Sequence, residues 1–214
     1  VEAVNGRNED LSHRYYTLKS GWMGKKQIDW WDRNAPLPGD NDRQYSWTDA
    51  QEIVLDAFGG FDSDMAEIAK PFFDKNWIDA APRAGKSSGA FSHPVVPSAH
   101  PYILMNFAGK SRDVMTLAHE MGHGIHQVLA AEQGCLMSDT PLTLAETASV
   151  FSEMLTFRQL VDSESDATVR RLLLAGKVED MLNTVVRQIA FHNFETQLHD
   201  RRAKAALTAD AISD

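Results

Sequence analysis

The sequence predicts a mainly α-helical chain of several helices, with a small β-sheet beside one central helix. Three observations carry this prediction. Apolar residues recur at helical spacing, most clearly at Val114, Leu117, Ala118, Met121, Ile125, Val128 and Leu129, which share one side of a helix at roughly 100° per residue. Helix-opening signals, Thr48 ahead of Gln51 and Thr140 ahead of Pro141, stand before other such stretches. Strand-like sequence is confined to two short segments, Gly89–Ser92 and Tyr102–Phe107.

The elements follow in order. Asn8 to Met23 reads as a helix whose Leu11, Tyr15, Leu18 and Trp22 form an aromatic and aliphatic stripe for a core. Ile28 to Asp32 leads into a proline- and glycine-marked loop, Ala35-Pro36-Leu37-Pro38-Gly39-Asp40. Thr48 opens a helix to about Phe58, stopped by Gly59-Gly60. Asp62 or Ser63 starts the next, running to about Lys75, with Pro71 marking a kink or the last turn. Residues 81–89 are too rich in Gly, Pro and Ser for a long helix. After the two strands, Ser111 or Asp113 caps the central helix, which reaches about Ala131 and ends at Gln133-Gly134. A helix from Thr140-Pro141 to about Val161 carries apolar residues nearly all round and is expected to be buried. A long helix from Ala167 to about Ala206, with a break expected at Gly176, precedes a last one opening at Thr208.

At 214 residues and 43% hydrophobic, the chain can build one large core, and residues 1–214 read as a single catalytic region. Starting at Val1 rather than Met, it reads as a piece of something longer. The net charge of -9 argues against nucleic acid as a partner. No apolar run approaches a membrane span, and the first residues lack the apolar segment of a signal peptide. The single cysteine, Cys135, cannot close an internal disulfide and reads as a small buried or loop thiol. These features together point to a cytoplasmic protein.

Chemistry is concentrated at His119-Glu120-Met121-Gly122-His123, the H-E-x-x-H pattern of zinc hydrolases. Positions four apart share a helix face, so His119 and His123 can grip one ion through their imidazole nitrogens. Glu120, turned off that row, can take a proton from water. Gly122 and Gly124 weaken the helix. They make sense where another backbone or a substrate comes close.

A catalytic zinc takes three protein ligands and leaves a position open. The longer pattern with a third histidine is excluded, because His126 and Leu129 stand where Gly and His would be needed. His126 lies seven residues, about 10.5 Å of rise, from His119, too far for the same ion. It reads as a neighbour of the site or a hydrogen-bonded helix residue. Glu146 is the best third ligand, because a carboxylate on a buried helix is costly unless a cation balances it. The other reading makes Glu146 a capping-box partner of Thr143. Glu153, seven residues on, either accepts a proton from the far nitrogen of a ligand histidine or pairs with an arginine. The two strands either form the rim of a cleft, to whose edge an extended peptide can add, or simply support the helix.

With these residues in view the chain resembles the oligoendopeptidase F branch of the thimet oligopeptidase family of zinc metallopeptidases. The resemblance rests on His119 to His126, Ala145-Glu146-Thr147-Ala148-Ser149 and Glu153-Met154-Leu155. Pro101 to Phe107 and Gly89 to Ser92 are similar to its strands ahead of the metal helix, and Arg14-Tyr15-Tyr16, Trp77-Ile78-Asp79 and Arg187-Gln188 also fit. The resemblance implies a mainly α-helical, zincin-type catalytic domain and one Zn²⁺ per chain. Its metal ligands are His119, His123 and Glu146, its base is Glu120, and its substrates are short peptides cleaved at internal bonds. With the order of the strands, it implies substrate contacts along Gly89, Ala90, Phe91, Tyr102, Leu104 and Asn106, with Glu153 and His126 behind the metal. The family's N-terminal channel wall and its C-terminal His- and Tyr-containing stretch find no match in these residues. The chain by itself is therefore expected to be a weak or inactive peptidase, partnered by the rest of the same enzyme or by a second copy. The rival reading is a zinc-binding scaffold or peptide-binding module without turnover.

Overall fold

The computed structural model describes residues 2–38 and 43–213. Gly39 and Asp40, the end of the expected loop, lie outside them. In chain order the elements are α1 (Glu2–Trp22), α2 (Trp47–Phe61), α3 (Ser63–Asp74), β1 (Ile78–Asp79), β2 (Phe91–His93), β3 (Tyr102–Leu104), α4 (Ser111–Ala130), α5 (Leu142–Ser163), α6 (Ala167–Arg202) and α7 (Ala209–Ser213). The mainly α architecture with a small sheet is as expected. Among the described residues no helix is long and apolar enough to cross a membrane.

The boundaries differ from the expected ones in ways that local chemistry explains. Ser46, not Thr48, caps α2: its hydroxyl accepts the Asp49 N–H at 3.0 Å while the Asp49 carboxylate accepts the Ser46 N–H at 2.9 Å. Gly59-Gly60 does not stop α2, which runs on to Phe61 and is ended by Asp62 in extended conformation, itself the cap of α3. Pro71 sits within the last turn of α3. The N-cap of α4 is Lys110, whose N–H donates to Asp113 at 3.0 Å, and α5 starts one residue later than expected, with Pro141 as its N-cap. Gly176 leaves α6 unbroken. The strands are shorter than their sequence segments, and the two-residue β1 was not anticipated.

The chain falls into two compact units. One, Val1–Asp40 with Asp166–Asp214, contains α1, α6 and α7. Within it α1 buries Tyr15 of the expected stripe together with the polar Asn8, Lys19 and Ser20, whereas Leu11 and Leu18 are exposed. Lys19 Nζ donates to Glu179 at 2.7 Å and to the Arg33 carbonyl at 2.6 Å. The Tyr15 hydroxyl donates to Glu179 as well, at 2.7 Å. A buried ammonium is tolerated because it is paired.

The other unit, Asn41–Ser165, holds α2 to α5 and the sheet, and the hydrophobic core lies here. Val54, Phe58, Phe72, Ile103, Met105, Leu117 and Met121 are fully buried in it. The sheet runs in the order β1-β3-β2, with β1 parallel and β2 antiparallel to β3. Ile103 and Met105 of the β3 segment point into the core, next to the apolar side of α4. That side is Val114, Leu117, Ala118, Met121 and Ile125; Leu129, at the end, is exposed.

The packing of α5 corrects the expectation of a helix buried all round. Its covered residues are Ser149, Ser152, Thr156, Phe157 and Leu160, while Leu142, Leu144, Val150 and Phe151 are exposed. Small side chains face α4 because the two backbones come very close. A Cβ on Gly122 would lie 2.6 Å from the Ala148 carbonyl oxygen and 2.7 Å from Ser149 Cα. Gly124 meets a side chain: a Cβ there would lie 2.8 Å from the Phe72 ring. Gly122→Ala would therefore push two backbones apart, and overpacking of this kind costs about 1–3 kcal/mol. Urea denaturation of that variant is expected to show a loss of this size, larger than for Gly176→Ala, whose added methyl meets nothing within 4 Å.

Candidate metal centre

The helical repeat of α4 places His119 and His123 one turn apart, their rings 5.0 Å between centroids and inclined at 81°. Close packing at Gly122 brings Glu146 of α5 over both. Glu146 Oε2 lies 3.1 Å from His119 Nε2 and 3.6 Å from His123 Nε2. One ligand atom from each of the three residues falls within 4.8 Å of the others. Donors about 2.0–2.1 Å from a tetrahedral ion stand roughly 3.3 Å apart, close to the two separations that Glu146 Oε2 makes with the histidines. Two imidazoles and a carboxylate are also the donor set of open, catalytic zinc sites.

Glu146 reaches this place for a different reason from the one the sequence implied. Its side chain is 64% exposed, so burial does not demand a cation. Nor is it a capping residue, because the N-cap is Pro141 and makes no side-chain capping bond. Its position is fixed instead by Ser149, fully buried, whose hydroxyl donates to Glu146 Oε2 at 2.7 Å. The sequence reading missed Ser149, although i,i+3 spacing on a helix makes the pair neighbours. Glu153 lies with Oε2 3.2 Å from His119 Nδ1, leaving Nε2 of that ring for the metal. His126 lines the cavity beside the site but does not join the ligand group.

Glu120 is buried beneath β2. Burial raises its pKa, the Glu146 charge adds to the rise, and His119 together with a hydrogen bond from the Ser92 backbone opposes it. Burial also pulls His119 downward, but the hydrogen bond to Glu153 and the charges of Glu120, Glu146 and Glu153 outweigh it, and its pKa is raised. His123 is lowered, by burial first, with Glu146 opposing and His119 and His126 adding. Negative charge thus gathers around two imidazoles, which is the field a divalent cation balances.

Ser92 lies in the expected strand segment Gly89–Ser92 and lines the cavity, but its own role shows only in the structure. It stands opposite Ile103, whose N–H donates to the Trp77 carbonyl on the far side of β3. In this register the backbone groups of Ser92 point to the outer edge of the sheet. There Gln127 Nε2 donates to the Ser92 carbonyl at 3.2 Å, and the Ser92 hydroxyl donates back to Gln127 Oε1 at 2.8 Å. The strand edge is fastened to α4 beside Glu120.

A cavity of about 450 Å³ opens over the site, lined by Ala90, Phe91, His119, Glu120, His123 and Glu146 among others. Of the six residues expected to contact substrate, Ala90 and Phe91 reach it. Gly89, Tyr102, Leu104 and Asn106 do not line it. Leu104 pairs with Phe91 and Tyr102 with His93 across the sheet. Asn106 Nδ2 donates to the carbonyls of Ser87 and Gly89, at 2.9 and 3.2 Å, and so pins the loop ahead of β2.

Comparison with known proteins places this geometry in context. The model of peptidase family M3 matches residues 62–214, more than half of the chain. Oligoendopeptidase F, chromosomal, of Lactococcus lactis subsp. cremoris is 30% identical over 205 residues, covering 95% of this chain and 34% of that protein. Oligopeptidase PepF of Bacillus subtilis (strain 168) is 28% identical over 202 residues, covering 94% and 30%. A crystal structure from Chlamydophila abortus superposes with a TM-score of 0.76 at 27% identity, over 91% of this chain and 32% of that one. PZ peptidase A shares the fold, with a TM-score of 0.72 at 17% identity over 87% of this chain and 33% of that one. The chain spans about a third of the length of the curated relatives it matches.

The partners of the ligands are expected to matter nearly as much as the ligands. Ser149→Ala and Glu153→Gln should each weaken zinc retention about tenfold or more, read by competition with a chromogenic chelator. Unchanged affinity in both would mean that the ligands are held in place by packing alone.

Proposed function

This chain belongs to peptidase family M3, and we propose that it forms the metal centre of a zinc endopeptidase acting on short peptides. One observation carries the reading: His119, His123 and Glu146 converge on one point while the carboxylate of Glu120 stands beside it on the same helix. His119 and His123 would hold the zinc through Nε2 and Glu146 through Oε2. When bound, zinc supplies Lewis-acid polarisation of a water and of the scissile carbonyl. Glu120 takes a proton from the attacking water and delivers it to the nitrogen of the leaving amine. Glu153 keeps His119 in the tautomer that presents Nε2.

The substrate main chain lies along the edge of β2 at Ala90, because Phe91 pairs inward with Leu104 and the outward groups of Ser92 are held by Gln127 and Glu120. Backbone pairing there is largely blind to side chains, which suits an enzyme that accepts varied short peptides. Gly89, Tyr102, Leu104 and Asn106 act behind that rim, shaping the loop and the strand that carry it. A scaffold reading without turnover is weaker, because a structural zinc site favours four protein ligands and gives no task to Glu120.

The test uses the full-length enzyme. Glu120→Gln should keep its zinc and lose about 10²–10⁴ of turnover on a quenched peptide. Glu146→Gln should lose zinc retention and activity together. Loss of zinc from the Glu120 variant would make that residue a ligand, and full turnover in it would remove the base from this position.

A further inference from the structure

A second cavity, of about 570 Å³, adjoins the one over the metal centre. Pro94, Gln127, Ser138 and Asp139 line both. Its floor and sides are apolar: Trp77, Val95, Val96, Pro101 and Val128 face it. The lining of the second cavity is shaped in advance. Val95 is held at a φ of 62°, an unusual conformation for a β-branched residue, and its N–H donates to His93 Nδ1 at 3.0 Å. Trp77 is fixed by the His100 ring stacked on it, centroids 3.7 Å apart and planes within 8°.

In the lining of the second cavity Asp139 is the one acidic side chain among the described residues, while the first holds Glu120 and Glu146 together with three histidines. Asp139, Glu120 and Glu146 line them, and no Lys or Arg does among the described residues. Asp139 is exposed at the shared rim and has no ion-pair partner among the described residues. A peptide has two charged ends. At Asp139 its carboxylate would meet like charge, whereas its α-ammonium would find an unpaired carboxylate next to an apolar recess.

We propose that the second cavity receives the amino-terminal end of a peptide, with the α-ammonium at Asp139 and an apolar first side chain against Trp77, Val95 and Val128. This rests on the peptidase reading and adds to it a direction: the chain runs from the second cavity past Pro94 toward Glu120. The site then selects peptides with a free amino terminus and an apolar first residue, and counts cleavage position from that end.

Binding is measured by calorimetry on the full-length Glu120→Gln enzyme loaded with zinc, so that turnover does not enter. The probes are a short peptide with a first Leu, its N-acetylated form and its C-terminal amide. The acetylated peptide should bind about tenfold more weakly than the free one, and the amide as well as the free acid. Asp139→Asn should erase the difference, and Asp139→Glu should keep it. Equal affinity of the free and acetylated peptides, or a discrimination that survives Asp139→Asn, overturns the proposal. Cleavage of both peptides alike by the unmodified enzyme removes this proposal and leaves the peptidase reading standing. Discrimination in binding without any cleavage does the reverse.

Discussion

The contact on which the rest of the site depends is the backbone approach of α4 to α5 at Gly122. No Cβ fits between that residue and Ala148–Ser149. The spacing of the two helix axes therefore follows from the absence of a side chain on one and from Ser149 and Ser152 on the other. His119 and His123 come from one helix, Glu146 and Glu153 from the other. A distance of 3.1 Å between His119 Nε2 and Glu146 Oε2 is available only if the helices are this close. The apolar side of α4, buried against α2, α3 and the sheet, holds the helix rigid while its other face is crowded with charge.

That crowding has an energetic consequence. Three carboxylates surround two imidazoles, and Glu120 is buried among them. Like charges at such range oppose folding unless something offsets them. Ser149 and the Ser92 backbone donate into the cluster, and the histidines take up part of the charge. A bound divalent cation would offset the remainder, so that metal binding and the stability of the α4–α5 pair would each favour the other.

The H-E-x-x-H helix was fully legible, because the spacing of two histidines and the apolar period opposite them are local properties of one helix. Glu146 and Glu153 were legible as chemistry but not as burial. The argument for Glu146 assumed a helix covered all round, and whether Leu142 or Phe151 is covered depends on what packs there, not on the order of residues in α5. The polar residues that α1 buries were hidden for the same reason: Lys19 is tolerated inside only because Glu179, 160 residues away, meets it. Caps moved by a residue or two, as competition between adjacent Ser, Thr and Asp side chains allows. Which sheet residues reach the cavity could not be read at all. A one-residue change of register exchanges the two faces, and the pairing of Phe91 with Leu104 is a long-range fact.

The tie between Ser92 and Gln127 shows how the two halves of the site are made one. Ser92 carries a backbone hydrogen bond to Glu120, and its carbonyl and hydroxyl are both held by a side chain two turns further along the same helix. Gln127 also lines both cavities, as does Pro94, two residues beyond Ser92. Glu120, the strand edge and Gln127 therefore share one set of hydrogen bonds.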